Sequence, residues 1–179
     1  GLRFGALVTA RQIETAPVVL EKYPNLAQAA RALGSIQVRN RATVVGNICR
    51  ASTSDDTLPP LIADGASLKI YGPEGDRERM LEQFFTGPGR TVLGPGEIVT
   101  EVIVPPPLPQ TGKHYIKHGR RKAMELATVG VAATLTITEE VCEQIRIVLG
   151  AVAPTPIRAK QAAQMLRSKQ ITQALIEGA

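Results

Sequence analysis

Apolar and polar positions alternate in two different rhythms along this chain. Leu2 to Val8 is a short apolar run suited to a strand, and Thr9-Ala10-Arg11-Gln12 has the spacing of a capping box opening a helix. Pro17 restarts a helical segment, Pro24-Asn25 breaks it, and Leu26 to Leu33 is an alanine-rich helix stopped by Gly34, with Ala27, Ala30 and Leu33 on one face. Val38 to Val45 reads as an apolar strand entering a polar loop, and Thr57 caps a helix whose first turn carries Pro59 and Pro60. Ala66 to Tyr71 and Arg79 to Leu81 form a hairpin across Gly72-Pro73-Glu74-Gly75, and Ile98 to Val104 is a strong strand.

Pro105 to Pro107 and Pro109 then forbid continued sheet pairing, so a domain boundary is placed there, dividing the chain into residues 1–106 and 112–179. Beyond it, His114 to Arg120, Val129 to Thr138 and Val141 to Leu149 read as three strands of an antiparallel sheet. One helix follows from Pro156 to Met165 or Leu166, and another starts at Thr172. The pattern predicts an α+β fold in two packed domains, the second built on a three-stranded antiparallel sheet and helices.

Composition narrows the choice of function. At 179 residues with 44% apolar content, the chain can bury a real core. No run reaches the length of a membrane span and the first residues show neither a signal-peptide core nor a transit-peptide bias, so a cytoplasmic protein is expected. Cys49 and Cys142 lack metal-type spacing and read as free buried thiols; no metal is expected, His114 and His118 having no third ligand. A net charge of +5 and the basic run Lys117 to Lys122 raise the question of nucleic acid. With three Phe, three Tyr and no Trp to stack on bases, a basic edge toward a cofactor phosphate or a partner subunit is preferred.

The chemistry concentrates between Arg39 and Leu61. There Gly46 allows close backbone approach, and Asn47, Ser52, Thr53 and Ser54 supply short-reach hydrogen-bond groups, a set suited to a phosphate-bearing ligand or, equally, to a strand, a turn and a capped helix with no ligand.

RNRATVVGNICRASTSDDTLPPLIADGASL closely resembles the second flavin loop of the FAD subunits of molybdenum hydroxylases, the group of carbon monoxide and xanthine dehydrogenases, whose pattern is T-x-G-G-N followed by A-S-P and an Asp. Thr43, Gly46, Asn47, Ala51, Ser52 and Asp56 match it. Val45 stands in place of the first glycine and Thr53 in place of the proline, and a β-branched Val45 is expected to crowd an approaching pyrophosphate. LRFGALVTARQIE, GPGRTVLGPGEIVTEVIVP, YIKHGRRKAMELATVGVAATLTI and IRIVLGAVAPTPIRAKQAAQML look like successive further segments of the same subunits.

The resemblance implies a PCMH-type FAD-binding subdomain followed by a flavoprotein C-terminal-like domain. It implies FAD as cofactor, held by Thr43, Gly46, Asn47, Ser52 and Asp56, with Val99 as an apolar contact and Lys117 as a cation near the isoalloxazine; Arg50, which replaces the small hydroxyl residue of some relatives, is a further candidate that reaches a phosphate or stays in water. Glu125 is expected in a structural ion pair. Molybdopterin and 2Fe-2S clusters are expected on partner subunits, with no catalytic residue in this chain, which would relay electrons from the clusters through FAD to an external acceptor. The leading subdomain and helical tail of the family are missing from the sequence, which therefore looks like an internal fragment. Such a fragment is expected to bind FAD weakly and to self-associate through the Leu26 to Leu33 helix and the terminal helix near Leu175 and Ile176. A scaffold that keeps the fold without flavin is the alternative.

Overall fold

The computed structural model describes residues 1–121 and 124–179; Lys122, the last member of the basic run, lies outside them. Strand β1 (Leu2–Gly5) leads into helix α1 (Ala10–Thr15), and the capping box forms as its spacing requires. Thr9 Oγ1 accepts from the Gln12 amide while Gln12 Oε1 accepts from the Thr9 amide. Helices α2 (Pro17–Lys22) and α3 (Pro24–Ala32) each begin on a proline, which lacks the N–H that a first turn leaves unpaired. Asn25, Leu26, Ala27, Ala29 and Ala30 are all buried, so the alanine-rich helix is core and not the exposed association face expected of it.

The segment read as a strand from Val38 to Val45 is instead two short helices, α4 (Ile36–Arg39) and α5 (Val44–Arg50). Tertiary packing overrides the strand preference of its valines: Val44, Val45 and Ile48 share one helical face and are buried, and Arg39 turns inward to pair with Glu14 at 2.9 Å. Helix α6 (Leu58–Ala63) is buried at every position, which is why LPPLIA carries no polar side chain. It packs against strands of the second half of the chain and against α3 of the first.

The first sheet is antiparallel in the order β1, β6 (Ile98–Val104), β2 (Ser67–Gly72), β3 (Gly75–Met80), so β6 returns from the end of the segment to lie between the N-terminal strand and the hairpin. A 3₁₀ turn at Leu81–Gln83 and the small ribbon β4 (Phe85–Gly87) with β5 (Arg90–Thr91) bridge hairpin and return strand. After the prolines, β7 (Thr111–His118), β8 (Val129–Thr138) and β9 (Val141–Gly150) pair in sequence order. Strand β10 (Ile157–Arg158) adds to β9, making the second sheet four-stranded instead of three-stranded. The helix read as starting at Pro156 begins only after that strand, as α7 (Lys160–Leu166), and α8 (Gln173–Glu177) starts behind its Thr172 cap. Among the described residues no helix is long and apolar enough to cross a membrane.

The core runs through both halves, with Leu26, Ile48, Leu61, Leu68 and Val102 joined by Tyr115, Ala132 and Val148 of the second sheet. Strand β7 fastens them. Its inward face presents Lys113 to Asp64 at the end of α6, and Tyr115 and Lys117 to α3 and to the loop after α5, while Ile116 points outward and is 60% exposed.

Candidate functional site

A cavity of about 300 Å³ opens where the end of α3, α4, α5, the loop 51–57 and the segment 124–126 meet. Its apolar lining is Leu33, Val38, Ala42, Met124 and Leu126; its polar lining comes from Asn47, Arg50, Ser52, Ser54, Asp55, Asp56 and Glu125. Helix α5 is thus read from one side by the core and from the other by the cavity: Val44, Val45 and Ile48 face in, while Asn47 and Arg50 face the opening. Val45, 6% exposed and helical, neither needs positive φ nor crowds the cavity, which corrects the expectation from sequence.

Thr43 and Gly46 serve the helix rather than the opening. Thr43 is the N-cap of α5, its Oγ1 accepting from the Gly46 amide at 3.0 Å. A Cβ at position 46 would stand 2.6 Å from that same oxygen, so glycine here is what lets the cap close. They and Asn47 therefore lie on one helical turn and not on a loop, and only Asn47 reaches the cavity.

The loop 51–57 is held by bonds from distant segments. Ala51 adopts the left-handed conformation at φ 50° as the C-cap of α5, its carbonyl accepts from the Gly89 amide at 2.9 Å, and the Thr53 carbonyl accepts from the Ala151 amide at 2.9 Å. Within it Thr57 donates both its amide and its hydroxyl to Asp55 Oδ1, each at 2.8 Å, so the hydroxyl of this helix start is turned back onto the loop instead of capping α6.

Asp55 Oδ2 is buried and has no hydrogen-bond partner among the described residues. Burial pushes the Asp55 carboxyl up to about 6 against the pull of the Thr57 bonds.

Asp56 is differently placed. Its Oδ1 accepts from the Tyr115 hydroxyl at 2.7 Å and its Oδ2 from Lys117 Nζ at 2.8 Å. Burial nonetheless pushes Asp56 above the usual carboxylate range, and burial together with the Asp56 charge raises the Tyr115 phenol. Gly130 makes room for that phenol, since a Cβ there would lie 2.7 Å from the hydroxyl. Lys117 donates also to the carbonyls of Ala32 at 3.2 Å and Glu125 at 2.8 Å, so its three hydrogens are all committed within the protein. It braces the cavity from behind. Glu125 forms the ion pair expected of it, with Arg120 at 3.0 Å, and also accepts from the Arg121 amide.

Of the eight residues singled out from sequence, then, Asn47, Arg50, Ser52 and Asp56 share the cavity. Thr43 and Gly46 shape the helix that presents two of them, Lys117 clamps Asp56, and Val99 lies 5% exposed in the core on β6, paired with Ile70. Met124, Leu126 and Asp55 were missed as site residues: the first two arrive from about seventy positions away with no local signal, and Asp55 stands beside the acid that the motif favours.

Comparison with known proteins identifies the family. Residues 1–107 match the family model described as the FAD binding domain in molybdopterin dehydrogenase, and residues 114–179 that of the CO dehydrogenase flavoprotein C-terminal domain. The chain is 34% identical over 177 residues to a putative xanthine dehydrogenase FAD-binding subunit of Escherichia coli, and 33% identical over 175 residues to the carbon monoxide dehydrogenase medium chain of Hydrogenophaga pseudoflava. Each match covers 98% of this chain and 61% of the relative. In solved structures, the carbon monoxide dehydrogenase of Hydrogenophaga pseudoflava superposes with a TM-score of 0.93 at 32% identity, over 98% of this chain and 61% of that one. The quinoline 2-oxidoreductase of Pseudomonas putida 86 gives 0.88 at 29%, over 97% and 60%. The chain spans about three fifths of the length of these relatives, and it belongs to the family of FAD-binding domains of molybdopterin dehydrogenases.

Proposed function

We propose that this chain holds FAD at the cavity between α5, the loop 51–57 and residues 124–126, as the flavin-binding part of an oxidoreductase subunit. The carrying observation is the convergence there of Asn47, Ser52 and Asp56, motif residues whose family match was legible in the sequence, with Arg50 beside them. The donor set fits a nucleotide: an amide and a guanidinium for phosphate oxygens, serine hydroxyls for sugar, and Leu33, Val38, Met124 and Leu126 against a planar ring. A volume of about 300 Å³ suits one half of a dinucleotide. The orphaned Asp55 oxygen is a further polar group that a ligand would satisfy.

Bound there, FAD supplies the one- and two-electron redox chemistry, and the protein supplies position and local charge. Arg50 brings positive charge to the opening, and the Tyr115–Asp56–Lys117 link fixes the wall of the cavity to the second sheet. We assign residues 1–106 to the FAD-binding unit and 112–179 to a second unit that closes the site. The assembly carries electrons from iron–sulfur clusters on one partner subunit, supplied by a molybdopterin subunit, to an external acceptor, in the cytoplasm. The expected test result is saturable quenching of flavin fluorescence by the purified protein, weakened about tenfold, or about 1.4 kcal/mol, by Arg50→Ala and again by Asn47→Ala. Wild-type protein that leaves flavin fluorescence unchanged at every concentration overturns the assignment.

A further inference from the structure

Two adjacent acids line the cavity, and the hydrogen-bond inventory treats them differently. Both oxygens of Asp56 already receive strong donors, the phenol of Tyr115 and the ammonium of Lys117. Those donors come from β7, so Asp56 is committed to joining the two halves of the chain. Asp55 has one oxygen committed, Oδ1, to the amide and hydroxyl of Thr57. Its other oxygen is buried and receives nothing from the described residues. A buried acceptor left without a donor costs about 1–3 kcal/mol, and native structures seldom keep one unless something else supplies the donor.

Building on the FAD assignment above, we propose that Asp55 is a cofactor-contacting residue, its Oδ2 accepting a hydrogen bond from a sugar hydroxyl of the dinucleotide. The chemistry of the lining selects a hydroxyl. Arg50 and Asn47 bring N–H groups that suit phosphate oxygens, and the apolar side chains suit a ring face, so the group that still lacks a partner is an acceptor among Ser52 and Ser54. The O–H groups a dinucleotide carries beside its phosphates are those of the ribose and of the ribityl chain. The Thr57 bonds fix Asp55 through Oδ1 before any ligand arrives, and Oδ2 has to be uncovered at the cavity wall for the contact to form.

The test is a set of titrations of the whole chain at pH 8 with FAD, ADP and FMN, on wild type and Asp55→Asn. The amide variant keeps an oxygen for Thr57 and replaces the free acceptor by a donor. FAD affinity is expected to fall about tenfold in Asp55→Asn, with an unchanged circular dichroism spectrum. One fragment falls with it: ADP if the hydroxyl is on the ribose, FMN if it is on the ribityl chain. Wild type that binds FAD while Asp55→Asn binds it within about twofold overturns this proposal and leaves the FAD assignment standing. Equal losses for ADP and FMN also overturn it, as they mark a general distortion of the cavity. Wild type that binds no FAD removes both.

Discussion

Strand β7 meets the first half of the chain at two ionic contacts, four residues apart on one face, and they differ in what lies behind them. At Lys113 the contact is the more deeply covered, although both its residues also line a second cavity: its ammonium sits 2.6 Å from Asp64 Oδ1, side-chain exposures are 4% and 1%, Asn25 donates to the other Asp64 oxygen, and the Tyr23 ring lies 4.3 Å beneath the cation. At Lys117 the same pairing of lysine with aspartate borders a cavity, Asp56 being part of its wall. The deeper pair has less water about it, at 4% and 1% exposure against 13% and 6% for Lys117 and Asp56, so its worth is in register and in the cost of breaking it. The pair at the cavity can exchange its surroundings between water and ligand, so the same two residue types there serve a site.

Cutting the deeper pair at one end is the most severe way to probe this difference. Lys113→Met leaves Asp64 buried and unpaired, and a stability loss of about 3–5 kcal/mol in urea unfolding is expected, mostly recovered when Asp64→Leu is added. Lys117→Met makes the same cut beside the cavity, where water can reach Asp56; about 1–3 kcal/mol is expected. Equal losses for the two lysines would erase the distinction.

The acid next to that pair sharpens the comparison through pH. Asp55 is raised from the ordinary carboxylate value to about 6 by burial, so the folded protein binds its proton more tightly than the unfolded chain does. That contribution to stability is therefore present at low pH and is lost as pH rises through about 6. Asp55→Asn, which cannot ionise, is expected to be about 2 kcal/mol more stable than wild type near pH 8. The gap should close toward pH 4, and a gap that widens on acidification would refute it. The smallest effect is at the helix facing the cavity: Gly46→Ala is expected to cost about 1 kcal/mol through loss of the Thr43 cap. In a Thr43→Ala background the same change should become stabilising, because only helix propensity remains. Thermal unfolding of the four proteins reads out the sign.

Much of this was legible in the chain itself. The Thr9 to Gln12 box, the hairpin over Ser67 to Met80, the paired strands β8 and β9 and the family motif around Gly46-Asn47 all follow from local spacing. What failed did so where packing overruled local preference. Val38, Val44 and Val45 favour strand by shape, yet the burial of Val44, Val45 and Ile48 follows a helical spacing that becomes evident only once a core exists to receive it. On β7 the polarity is inverted: Lys113 and Lys117 point inward to meet acids some fifty and sixty positions earlier, while Ile116 faces solvent, and no hydrophobic alternation announces that. Val99 has the residue type of a ring contact and the surroundings of a core strand; sequence does not separate the two. Asp55 was passed over because a motif names one acid, whereas the free oxygen is a property of three-dimensional bonding.

The two backbone bonds that hold the loop 51–57 also give it a clock. The Gly89 amide donates to Ala51 and the Ala151 amide to Thr53, so each proton trades with solvent deuterium only when the loop lets go of that segment. Gly89 sits in the turn between β4 and β5, and Ala151 just past the end of β9, so the two report on separate elements. Matching exchange rates would mean that the acidic wall opens as one body. Different rates would mean that it peels from one side, and would name the side.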